Sequence, residues 1–220
     1  MGSLTSCSRP AYSLSPNPTP YVYNSPTEYY LYLPSHYVPD RDWPLFVGIH
    51  GFSGDGSECL RMWQSYAEQE GFILVCPSLG DKSGGWYVDQ GEANLHGILR
   101  QVQKDCRVQK RFFLAGFSAG AEFAQAWIFD NPRTVTAAAV LSAGNYYEPV
   151  LAAQDIPFLV VIGDQDDPLS LENARMFTDH LKQDQFWAEL VILPGVGHKV
   201  TQKALELTIS FFQQVYGRLP

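Results

Sequence analysis

The sequence predicts one α/β domain, with a mostly parallel central sheet, helices on both faces and no large lid domain. Three observations lead there. Short apolar runs of five to seven residues recur along the chain. The runs are continuous rather than alternating, the pattern of strands covered on both faces. Stretches of helical period separate most of them. At 220 residues and 45% apolar content, the chain can bury a sizeable single core.

Residues 1–26 carry Pro10, Pro16, Pro18, Pro20 and Pro26 among Ser, Thr and Asn. Such a stretch buries too little to offset its ordering entropy, so it is expected to be a flexible Pro/Ser-rich tail or a wrapping segment, leaving 27–220 as the domain. Tyr29-Tyr30-Leu31-Tyr32-Leu33, stopped by Pro34, reads as an early strand near a sheet edge. Leu45–His50 is the next strand. Leu60, Trp63 and Ala67 mark one face of a helix that ends at Gly71. Phe72–Cys76 is a strand closed by Pro77, and Leu95, Ile98, Leu99 and Val102 form a helical stripe.

Arg111–Phe117 is a strand, followed by a helix over Ala121–Phe129 that Asn131-Pro132 stops. That helix is apolar nearly all round and should be the most buried one. Val135–Leu141 and Pro157–Gly163 are strands, with room between them for about one loop or helical turn. Leu169–Leu181 reads as a helix and Glu189–Leu193 as the last strand. Leu205, Ile209, Phe212 and Val215 line a C-terminal helix.

Net charge is −8, with no cluster of Lys or Arg. A nucleic acid or an anionic membrane surface would need such a patch, so neither is expected as a partner. No apolar run approaches the roughly 18–20 residues of a membrane helix. The opening residues lack a complete signal peptide. Leu4-Thr5-Ser6-Cys7 resembles the end of a bacterial lipoprotein signal, so a soluble cytoplasmic chain and a truncated exported lipoprotein both stay open. The cysteines (Cys7, Cys59, Cys76, Cys106) show neither C-x-x-C nor metal-ligand spacing. Cys76 ends an apolar strand and is expected as a buried thiol. Cys59 and Cys106 pair only if the fold brings them together.

The chemistry gathers in four places. Gly116-Phe117-Ser118-Ala119-Gly120 is a G-x-S-x-G between an apolar strand and an apolar helix, where a sharp turn lifts a serine hydroxyl clear of the sheet. A serine needs a base. Of five histidines, His198 lies in a small-residue loop just past the last strand, at the sheet edge where catalytic groups collect. The imidazole needs a carboxylate. Gly163-Asp164-Gln165-Asp166-Asp167 supplies three, with Asp166 the first candidate, Asp164 the second and Asp167 the third; one or two of them should cap a helix or bind backbone amides instead. Finally, His50-Gly51-Phe52-Ser53-Gly54 follows a strand as an oxyanion loop should. The backbone amides of Phe52 and Ala119 are the candidate donors, with His50 supporting the loop. Trp86 and Tyr87, in the loop after the strand ending at Cys76, are candidates for walling the substrate pocket.

The order Ser118, Asp166, His198, with His50-Gly51 upstream, resembles the α/β-hydrolase fold over about residues 28–216. The short, lidless form is similar to the polyhydroxyalkanoate depolymerase and feruloyl-esterase-like group and to the carboxylesterase/phospholipase group. The resemblance implies hydrolysis of a small-molecule or polymeric carboxylic ester through an acyl-enzyme, with no cofactor and no metal. A serine peptidase or thioesterase on the same fold is the alternative enzyme. A non-catalytic binding module is the third reading, and such modules usually lack a member of the triad.

Overall fold

The computed structural model describes residues 12–80 and 88–218, the side chains of 88 and 89 excepted. Eight strands form one sheet: β1 (Tyr21–Tyr23), β2 (Tyr29–Tyr32), β3 (Leu45–Ile49), β4 (Ile73–Pro77), β5 (Phe112–Phe117), β6 (Val135–Leu141), β7 (Phe158–Gly163) and β8 (Ala188–Leu193). Their spatial order is β1-β2-β4-β3-β5-β6-β7-β8. β1 and β2 run antiparallel, and β2 to β4 likewise, while every pair from β4 to β8 is parallel. β3 through β7 are buried along their length except Phe117, as continuous apolar strands between two helical layers must be.

The helices are α1 (Gly56–Glu70), α2 (Val88–Asp105), α3 (Ala119–Asp130), α4 (Pro168–Gln183) and α5 (Gln202–Tyr216). Leu95 and Ile98 of α2, Phe123 and Trp127 of α3, and Phe177 and Leu181 of α4 share one core. Leu60 and Trp63 of α1 pack with Leu205, Ile209 and Phe212 of α5 in the core on the other side. Phe46 anchors that second layer, its ring within 6.1 Å of those of Trp63, Phe72, Phe113 and Phe212. Full burial of such a side chain contributes roughly 1.5–3 kcal/mol.

Local chemistry sets the helix ends. Asp55 accepts the Glu58 N–H at 3.0 Å to start α1, and Gly71, with φ of 74°, stops it in the left-handed conformation. Asp167 caps α4 ahead of Pro168, and Thr201 caps α5.

One expectation is corrected and another made specific. Within the stretch expected as a tail or wrapping segment, Tyr21, Val22 and Tyr23 form β1 and pair with Leu31, Tyr30 and Tyr29, and the Tyr23 and Tyr29 rings stack at 4.7 Å. The Tyr23 hydroxyl also reaches the Asp105 carboxylate, so side-chain contacts supplement three residues of pairing. Cys76 is not a free thiol. It is bonded to Cys59, with 5.7 Å between their Cα atoms. Cys59 leaves the sheet-facing side of α1 toward β4, whereas Cys106 is buried in the core across the sheet and stays free.

Candidate active site

The parallel strands all point one way, so their C-terminal ends share one rim, and Ser118, Asp166 and His198 sit just past three of those ends. Ser118 lies between β5 and α3 with φ of 53° and ψ of −122°, a conformation rare for a residue with a side chain. Its N–H is held by the Leu141 carbonyl of β6 at 2.9 Å. The flanking glycines make the turn possible. A Cβ at Gly116 would overlap the Gly120 carbonyl, and one at Gly120 would overlap the His50 carbonyl.

His198 follows β8. Its Nδ1 lies 3.0 and 3.2 Å from the two Asp166 oxygens, and its Nε2 lies 2.9 Å from the Ser118 hydroxyl. An ionised carboxylate can only accept, so it places the imidazole proton on Nδ1. Nε2 is then free to accept from the serine. The Asp166 side chain is 2% exposed and that of His198 47%, so the carboxylate is sheltered while the imidazole meets solvent. The Phe117 ring lies against the imidazole at 5.2 Å between centroids.

The three acids of the β7 loop divide their work. Asp166 meets His198 and also accepts the Asp167 N–H at 2.8 Å. Asp164 accepts the Gly195 N–H at 2.7 Å, and Asp167 accepts the Ser170 N–H at 2.9 Å as the α4 cap. Burial first, then the Asp166 charge, pushes the nearby Tyr146 hydroxyl well above its usual range.

On the opposite side of Ser118, the loop after β3 turns back on itself, with the Gly54 N–H donating to Gly51 O at 3.1 Å. Phe52 sits at the turn and is 57% exposed. Ala119 opens α3, so its amide belongs to the first turn, where N–H groups lack helical partners and carry partial positive charge. His50 is fully buried beneath this loop. Its Nδ1 donates to Gly51 O at 2.7 Å and its Nε2 accepts from the Leu79 N–H at 3.1 Å. Burial pulls its pKa down and keeps the ring neutral, in the loop-bracing position expected of it.

The sequence did not single out a clamp behind Ser118. Glu122, one turn along α3 from Ser118, accepts the backbone N–H of Asn145 at 2.9 Å and its side-chain amide at 3.1 Å. Gln125 is fully buried, donates to the Ala121 and Asn145 carbonyls and accepts from the Tyr147 N–H. Together they fasten the loop after β6. The available signal was Glu122 and Gln125, two polar side chains ahead of the terminal Asp130 in an otherwise apolar helix. Beside Phe117 and His198 opens a cleft of about 700 Å³, walled by α1 and the start of α5. Trp86 and Tyr87, expected as pocket walls, lie outside the described residues, as does Cys7. Among the described residues, no group of three or more His, Cys, Asp and Glu side chains could hold a metal ion.

A model of the dienelactone hydrolase family matches residues 84–215. The chain belongs to the dienelactone hydrolase family. This dienelactone hydrolase family member is similar, at 28% identity over 71% of its length, to the bifunctional acetylxylan esterase/xylanase XynS20E of Neocallimastix patriciarum, of which it spans only 24%. It is 20% identical to acyl-protein thioesterase 1 homolog 1 of Dictyostelium discoideum, covering 75% of this chain and 87% of that protein. The crystal structure of a thermostable esterase superposes with a TM-score of 0.69 at 17% identity, over 90% of this chain and 61% of that one. The α/β-hydrolase fold expected from the sequence is thereby borne out, and the family resemblance lies with a family of hydrolases.

Proposed function

We propose that this family member hydrolyses carboxylic esters through an acyl-enzyme formed on Ser118, with His198 as general base and Asp166 orienting it. The observation that carries this is one imidazole bonded on both sides, to Asp166 through Nδ1 and to the Ser118 hydroxyl through Nε2. That arrangement has the pairwise geometry a nucleophile, base and orienting acid require.

In this reading, His198 takes the Ser118 proton as the hydroxyl oxygen attacks the ester carbonyl. The oxyanion develops against the amides of Phe52 and Ala119, the latter backed by the positive end of α3. His198 then gives the proton to the departing alcohol oxygen, and water repeats the sequence on the acyl-enzyme. The partly exposed imidazole admits water, and the acetylxylan esterase relative favours an ester among the possible acyl compounds. Ser118→Ala is expected to lower turnover of p-nitrophenyl acetate by on the order of 10⁴-fold or more and to abolish labelling by a fluorophosphonate. Unchanged turnover in that variant would remove the proposal.

The acyl-protein thioesterase relative supports a second reading, attack by the same groups on a thioester. Comparing kcat/KM for an acetate ester and an acetyl thioester separates the two.

A further inference from the structure

We propose that the cleft of about 700 Å³ beside His198 holds the leaving alcohol, and that it takes an alcohol carrying several hydroxyl groups. The inference rests on the ester-hydrolase reading and specifies its substrate.

Position comes first. When the Ser118 oxygen bonds to the carbonyl carbon and the ester C–O bond breaks, the proton held on His198 Nε2 passes to the departing oxygen. That oxygen therefore lies against the imidazole, and the rest of the alcohol extends from it. The cleft has His198 and Phe117 in its wall and continues along α1 to the first turn of α5. It thus opens from the group that must protonate the leaving oxygen.

The lining sets the chemistry. Arg61, Ser65 and Gln69 recur at four-residue spacing along α1, all exposed, while Leu60, Trp63 and Ala67 turn inward to the core. Across from them, Gln202 donates to the Tyr66 hydroxyl at 2.8 Å, joining α5 to α1 and leaving a half-buried aromatic ring in the wall. Planar guanidinium and carboxamide groups span neighbouring hydroxyls in pairs, and a tyrosine ring offers a face to C–H groups. Charge is mixed, since Glu58 lies with Arg61 and Lys199, which suits a neutral polyol better than a carboxylate or phosphate. Met62, Val200 and Leu205 are too few to sheath an alkyl chain.

The test keeps the acyl group constant and varies the alcohol: the primary acetate of a methyl glucoside, n-hexyl acetate and p-nitrophenyl acetate. The wild type should prefer the glucoside acetate to hexyl acetate by about tenfold in kcat/KM. The ratio of kcat/KM for glucoside acetate to that for p-nitrophenyl acetate should fall about tenfold in Arg61→Ala and about fivefold in Gln69→Ala, as expected for losing a charged and a neutral hydrogen bond. Ser65→Trp, which fills the cleft from an exposed helix position, should lower the same ratio further. Ratios unchanged in all three variants, or a preference for hexyl acetate, overturn the leaving-group assignment alone. A wild type inert to p-nitrophenyl acetate ends the ester-hydrolase reading, and this inference with it.

Discussion

Asp164 ties two loops of the rim together: its Oδ1 accepts the Gly195 N–H at 2.7 Å, joining the loop that carries Asp166 to the loop that carries His198. It adds a side-chain tie to the backbone bonds from Asp164 N–H to Leu193 O and from Gln165 N–H to Val196 O, which join the same segments.

Removing that acceptor should misplace the imidazole without removing any reacting group. Asp164→Ala is expected to lower kcat for p-nitrophenyl acetate by about tenfold, because small misplacements at a reacting centre are expensive, and to cost about 1–2 kcal/mol of stability. Asp164→Asn keeps an acceptor oxygen and should recover most of both. Steady-state kinetics with urea unfolding check the pair, and an Asn variant as impaired as the Ala variant would contradict this role.

A methyl group at Gly120 has nowhere to go. The neighbours it would meet are the backbone carbonyls of His50 and Ile49, which cannot swing aside as a long side chain would. Gly120→Ala should therefore cost about 1–3 kcal/mol, the usual penalty of overpacking. It should also lower activity, because Ser118 and the loop after His50 are pushed apart. A urea midpoint equal to that of the parent would refute the account.

The Cys59–Cys76 bond closes a loop with a sequence separation of 17. Constraining the unfolded chain over such a loop is worth about 3 kcal/mol. Paired Cys59→Ala and Cys76→Ala substitutions should lower stability by about that amount, and dithiothreitol should destabilise the parent but not the double variant. The same stability with and without reductant in the parent would show that the bond contributes nothing. Burial pushes the Cys106 thiol up to about 12, so it stays protonated and does not exchange into the pair.

His50 predicts a pH dependence of stability. Its folded pKa is depressed by burial below the ordinary 6.5. The unfolded chain therefore binds the proton more readily, and stability falls as pH drops through the unfolded value toward the folded one. The loss should appear below about pH 6.5, above the range in which Asp55 and Glu68, both held low by hydrogen bonds, take up protons. Urea midpoints measured from pH 7.5 to about pH 5 should decline in the parent and run flatter in His50→Gln. Parallel declines would assign the effect to other groups.

Much of this was legible because strand interiors advertise themselves. Val135–Leu141 is a strand over the span its apolar run suggests, and the other parallel strands fall within a residue or so of their runs. Ser118 and His198 stood out because a G-x-S-x-G and a small-residue histidine loop each follow a strand. For Asp164, Asp166 and Asp167 the sequence ranks Asp166 first and expects one or two of them to cap a helix or bind amides. Which of the others takes which partner stays open, since three acids on one turn differ only in the direction each side chain takes. β1 was hidden because Tyr21–Tyr23 is too short to show a period, and its Tyr23 hydroxyl reaches Asp105, 82 residues on. The Cys59–Cys76 bond was hidden for a related reason: a helix residue and a strand residue meet only once α1 lies on the sheet. The cleft between α1 and α5 joins segments over 130 residues apart, which no local pattern encodes.

Ser118 and His198 follow β5 and β8, which stand three strand intervals of about 4.8 Å apart, so the loop after β8 must reach back across β6 and β7 to bring the imidazole to 2.9 Å from the hydroxyl. The sheet is the foundation, and the loops at its rim are the spans that close the gap. The exposed face of α1 carries none of the three and lies outside the loop of Phe52, so it can be redrawn without disturbing them. A designer grafting new specificity onto this scaffold would do well to leave the strand ends alone and work outward from them.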